Sequence, residues 1–108
     1  MAGEAERGIR ELCEARSARL RAGLESIPGI HAVPPDAGMF MLADVSGTGL
    51  SAHEFMRRLY EQERVSVMDG AAFSHQTRRF VRICFATDEA TIDAACERIR
   101  RFCTQLRG

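Results

Sequence analysis

The chain has 108 residues, enough for one core and too few for two, so a single folding unit is expected. Its formal net charge is zero with acids and bases interleaved, which excludes an overall field that would draw in nucleic acid or an anionic membrane. All 15 basic residues are arginine, so no side chain here can form an imine with an aldehyde cofactor.

From Glu4 to Ser26 the apolar residues Ile9, Leu12, Cys13, Leu20, Leu24 and Ile27 recur at three- and four-residue steps, with arginine and glutamate on the other face. This predicts a long amphipathic helix that stops before Pro28 and Gly29. Met1–Arg10 lacks the apolar core of a signal peptide, and no apolar run reaches the roughly 18 residues of a membrane span, so a cytoplasmic soluble domain is expected.

His31–Val33 reads as a short strand, ended by a bend in which Pro34 and Pro35 remove backbone donors and Gly38 permits an unusual backbone angle. Met39–Val45 is apolar up to Asp44 and is followed by Ser46-Gly47-Thr48-Gly49. It predicts a central strand buried on both faces. Ser51-Ala52-His53-Glu54 fits a capping box, flanked by Leu50 and Phe55 at the staple positions, and opens a helix running to about Glu63 on a stripe of Phe55, Met56 and Leu59.

Val65–Met68 reads as a strand, Asp69-Gly70 as a turn, Ala71–Arg79 as a loop and Phe80–Ala86 as a second strand rich in β-branched and aromatic residues. Thr87-Asp88-Glu89 opens the last helix with a capping hydroxyl and two acids at its positive end. That helix has a stripe of Ile92, Ala95, Cys96, Ile99, Phe102, Cys103 and Leu106. The order predicts an α+β sandwich, a small, mostly antiparallel sheet of three to four strands covered by helices.

The four cysteines form no CxxC pair, and Cys13, Cys96 and Cys103 fall on apolar helix faces, where a reduced thiol packs as a small hydrophobe. His31, His53 and His75 lack metal-ligand spacing, so no metal is expected. Arg57, Arg58, Arg64, Arg78 and Arg79 read as a solvated basic face, because the strand beside them lacks the glycine and paired aromatics of an RNA-recognition motif.

Alternation along Phe80–Ala86 puts Val81, Ile83 and Phe85 on one face and Phe80, Arg82, Cys84 and Ala86 on the other. A guanidinium in a strand centre is costly to desolvate, so something anionic should face it. Two readings stay open: a structural pair with a carboxylate such as Asp44, or a site for an anionic ligand.

Pro35-Asp36-Ala37-Gly38-Met39-Phe40, Val65-Ser66-Val67-Met68-Asp69-Gly70 with Phe73, and Val81-Arg82-Ile83-Cys84-Phe85-Ala86 resemble, in order and spacing, the landmarks of the C-terminal domain of fold type I aminotransferases. The resemblance spans nearly everything from Gly29 onward. It departs from the family pattern at Asp69, where Pro is frequent, and at Ser74, where Gly is frequent, and these positions bear on substrate preference.

The resemblance implies that residues 1–108 are the small domain of a pyridoxal-phosphate (PLP) enzyme that moves an amino group between an amino acid and a 2-oxo acid. Helix 4–26 would lead in from a large domain, absent here, that carries the PLP lysine. It further implies Arg82 as the binder of the substrate α-carboxylate, Gly38 at the edge of the substrate cleft, the His75 loop near the cofactor, and a homodimeric parent enzyme. The fragment alone is then expected to be inactive. The alternatives are a stand-alone small-molecule-binding module and a protein-interaction module that uses the sheet face around Phe40, Phe80 and Arg82.

Overall fold

The computed structural model describes residues 2–33, 40–69 and 79–107. The first periodic segment forms α1, Ala2–Glu25, and Leu20 and Leu24 of its stripe are buried together with Ile27 just beyond it. Leu12, expected on the same buried stripe, is 45% exposed. The helix α3, Glu89–Arg107, explains the difference. Arg19 meets Glu89 and Asp93, and Ser26 meets Arg100, so the two helices run parallel and Leu12 lies ahead of the point where α3 begins. The helices approach closely where Gly23 faces Cys96.

Four strands follow the turn: β1 His31–Val33, β2 Phe40–Asp44, β3 Met68–Asp69 and β4 Phe80–Cys84. They form one open sheet in the order β1-β2-β4-β3, antiparallel at every pairing. Val65–Met68 was expected as a strand, yet only Met68 of that run pairs. Val67 buries its side chain in the core, and among the described residues this segment pairs with β4 at Met68 and Asp69.

Strand β2 is central, as expected, but it is buried on one face rather than two. Met41 and Ala43 lie under the helices, whereas Phe40 is 44% exposed and Leu42 and Asp44 are only half-buried. A continuous apolar run suggests two covered faces, but among the described residues all three helices sit on the same side. That side holds the core, in which Val81, Ile83 and Phe85 of the β4 segment meet Phe55 and Leu59 of α2 (Ala52–Glu63) and Ile92, Ile99 and Phe102 of α3. Phe55 and Phe102 meet edge to face with centroids 5.3 Å apart.

The helix starts show the chemistry expected of caps, with two corrections. Ser51 Oγ accepts from the Glu54 amide at 3.1 Å, but the Glu54 carboxylate turns outward to Arg57 and Arg58 instead of returning to the Ser51 amide. At α3 it is the Asp88 carboxylate, not a hydroxyl, that accepts from the Thr91 amide at 2.7 Å. Gly29 adopts φ +91°, and its backbone lies against that of Gly47, where a Cβ would come within 2.9 Å of the Gly47 oxygen. This contact fixes the turn between α1 and β1 against the 3-10 turn Ser46–Thr48.

Candidate functional site

The two-residue period of β4 is realised in full. Val81 and Ile83 are buried against the helices, and Phe80, Arg82 and Cys84 lie on the other face. Because β4 runs between β2 and β3, Arg82 has Leu42 and Met68 as its cross-strand partners. Phe40 sits diagonally, opposite Cys84.

The Arg82 guanidinium carbon lies 4.1 Å from the centre of the Phe40 ring, and its Nη2 donates to Met68 Sδ at 2.8 Å. Met68 is 46% exposed, close to the value for Phe40, so the half-buried arginine lies between two large, exposed apolar side chains. Among the described residues, Phe40 stands exposed on this face and Arg82 half-buried. Met68 joins them through the pairing of β3 with β4, which local sequence pattern does not reveal.

Asp44, the carboxylate weighed as a structural partner of Arg82, pairs with Arg79 at 3.3 Å and accepts from the amide and hydroxyl of Ser46. Its Cα partner in the sheet is Phe80. Partial burial alone would raise its pKa, but the Ser46 hydrogen bonds and the Arg79 charge outweigh burial and hold it below the usual aspartate value. Asp44 is thus engaged by Arg79 and Ser46.

The other polar candidates stand apart from Arg82. His53 lies 3.4 Å from Asp69, and His31 lies 3.9 Å from Glu25. Arg57 and Arg58 are taken up by Glu54 and Glu61 on their own helix. Cys84 is an exposed thiol on the face of Arg82, whereas Cys96 and Cys103 are buried and Cys13 is half-buried. Burial pushes the Cys96 thiol above its usual pKa. Gly38, Phe73, Ser74, His75 and Arg78 fall outside the described residues.

No group of three or more potential metal ligands stands together among the described residues. Among the described residues, no helix is long and apolar enough to cross a membrane. A hollow of about 480 Å³ lies between α3 and the end of β4, lined by Leu20, Val65, Ile83 and Ile99 with Arg64 and Arg98. Arg82 is not part of it. The arginine sits on a face that these residues do not enclose.

The sequence and the fold were compared with known proteins. The family model for aminotransferase class I and II matches residues 3–99. The chain belongs to this family. It is 35% identical over 85 residues to an arginine–pyruvate transaminase of Pseudomonas aeruginosa, covering 79% of this chain and 22% of that protein. It is also 35% identical over 78 residues to an aspartate aminotransferase of Pyrococcus horikoshii, covering 72% and 20%.

Among solved structures, an aromatic aminotransferase from Pyrococcus horikoshii superposes with a TM-score of 0.90 at 25% identity, over 96% of this chain and 28% of that one. The aminotransferase chain spans about a fifth of the length of the curated relatives it matches. Its α+β fold, with a four-stranded antiparallel sheet, is that of its structural neighbours.

Proposed function

We propose that this aminotransferase chain is the C-terminal small domain of a PLP-dependent enzyme that transfers an amino group between an amino acid and a 2-oxo acid, and that its own contribution is to bind the substrate α-carboxylate through Arg82. The observation that carries this reading is the placement of Arg82. It is a mid-strand arginine on the open face of a central strand, oriented by neighbours and outside the chain's own hollow.

A guanidinium has five N–H donors in one plane and suits two-pronged donation to a carboxylate. The Phe40 ring, 4.1 Å from the guanidinium carbon, and Met68, which takes one donor, are both compatible with such donation. A carboxylate held at two points cannot rotate, so the bond to be broken at Cα keeps one orientation toward the base.

When bound, PLP supplies the electron sink for amino-group transfer. The residues of this chain do not fit the task of holding it, because there is no lysine to bond its aldehyde. That lysine belongs to a large domain outside this sequence, where helix α1 leads in, and the open face of Arg82 is closed by that domain. The parent enzyme acts as a homodimer in the cytoplasm.

The test compares the 108-residue chain with the full-length polypeptide in a transamination assay containing PLP, a panel of L-amino acids and pyruvate or 2-oxoglutarate. Transfer by the full-length protein and none by the chain is the expected result. Transfer by the chain alone would contradict the division of labour.

A further inference from the structure

Phe40 and Met68 leave large apolar side chains on the open face of the sheet, 44% and 46% exposed, so core packing does not account for them. Both touch the same group. The Phe40 ring lies under the Arg82 guanidinium at 4.1 Å, and Met68 Sδ accepts from Nη2 at 2.8 Å.

Their positions follow from the strand order. Met68 is the cross-strand partner of Arg82 on β3, and Phe40 is its diagonal neighbour on β2, so the contacts reach the arginine from the two flanking strands. Leu42, the remaining cross-strand partner, is apolar as well.

An arginine side chain has several rotatable bonds and is long enough to sweep across a sheet face. A ring face below and an acceptor beside it select one arrangement. Both contacts are neutral. The ring offers its quadrupole and the thioether its lone pair, so neither adds the negative charge that Asp44 brings to Arg79.

We infer that Phe40 and Met68 are positioning residues that together hold the Arg82 guanidinium in the orientation that receives the substrate carboxylate. The inference rests on the reading of Arg82 given above. It extends that reading to two residues from other strands and to the kinetic step in which they act.

Once formed, the two-pronged contact holds Cα in the same orientation, so losing Phe40 or Met68 lowers only the fraction of guanidinium poised to make it. Loosening the arginine therefore weakens binding without changing the chemical step. The signature is a raised KM with kcat preserved.

The experiment uses the full-length enzyme, with L-phenylalanine and its decarboxylated counterpart 2-phenylethylamine as paired probes, and with Phe40→Leu, Phe40→Tyr, Met68→Leu and Arg82→Ala. Phe40→Leu is expected to raise KM for L-phenylalanine on the order of three- to tenfold and Met68→Leu about two- to fivefold, both with kcat nearly unchanged. Phe40→Tyr, which keeps the ring face, is expected to restore the original KM. None of the three should move KM for 2-phenylethylamine.

A variant that merely disturbs packing lowers kcat through loss of active enzyme and affects both probes alike, and that result overturns the inference. Unchanged KM in the Phe40 and Met68 variants, with Arg82→Ala still selective for the carboxylated probe, overturns the positioning role and leaves the arginine's role intact. Arg82→Ala weakening both probes equally overturns both together.

Discussion

Gly23→Ala separates helix propensity from helix packing. In an isolated helix the change would stabilise by about 0.5–1 kcal/mol, because alanine loses less backbone freedom on folding. Here a Cβ at position 23 would come 2.5 Å from Cys96 Sγ and 3.0 Å from Cys96 Cβ. The sulfur can swing to another rotamer, but the Cβ contact remains, and Cys96 is buried among close-packed neighbours that resist a shift of α3. Overpacking of this kind costs about 1–3 kcal/mol, so the net effect is destabilisation by about 1–2 kcal/mol. Urea denaturation of the chain followed by circular dichroism measures it. Cys96→Ala in the Gly23→Ala background should recover about 1 kcal/mol relative to the sum of the single changes, since the two sites are in contact. Stabilisation by Gly23→Ala, with no coupling to position 96, would refute the close approach of α1 and α3.

Two further perturbations follow from the same contacts. Ser51→Ala removes the side-chain acceptor of the Glu54 amide and should cost about 1 kcal/mol, seen as a lowered urea midpoint with an unchanged slope. Glu63 is a buried acid at the end of α2, and its carboxylate accepts from Arg101 with Arg98 nearby. The Arg101 hydrogen bond, opposed by burial and helped by both guanidinium charges, holds its pKa below the usual glutamate value. A folded-state pKa below the unfolded one gives stability that is complete at neutral pH and is lost as pH falls through the usual glutamate value of about 4.3 and below it. Denaturation midpoints measured from pH 7 to pH 3 should therefore fall less steeply for Glu63→Gln than for the parent chain.

How far the molecule was legible in its sequence follows from the range of the interactions concerned. The helices were read closely because their signals are local: the stripe of Ile92, Cys96, Ile99, Phe102 and Cys103 is buried as its spacing implies, and Ser51 caps the helix that begins at Ala52. The two faces of β4 were legible for the same reason, which is how Arg82 was placed on the open side. What escaped depends on partners distant in the chain. The run Val65–Val67, with two β-branched valines, carries strand chemistry, yet among the described residues pairing begins at Met68, because Val67 serves the core instead.

Met68 and Phe40 could not be matched to Arg82 without the order β2-β4-β3, in which strands separated by a whole helix become neighbours. Gly23 gave no signal at all, since a glycine within a helical stripe reads as tolerated and the group it admits lies on α3. Glu63 looked like an ordinary helix terminus for the same reason: Arg101, which makes its burial tolerable, is supplied by the last helix.

The role of Arg82 as carboxylate binder is tested most directly by the ratio of kcat/KM for L-phenylalanine to that for 2-phenylethylamine, measured in the full-length enzyme before and after Arg82→Ala. Hydrogen bonds to charged groups contribute about 1.5–3 kcal/mol, so the account predicts that kcat/KM for the amino acid falls by about 10- to 100-fold while that for the amine stays within about twofold. An equal loss for both probes, leaving the ratio unchanged, would contradict it.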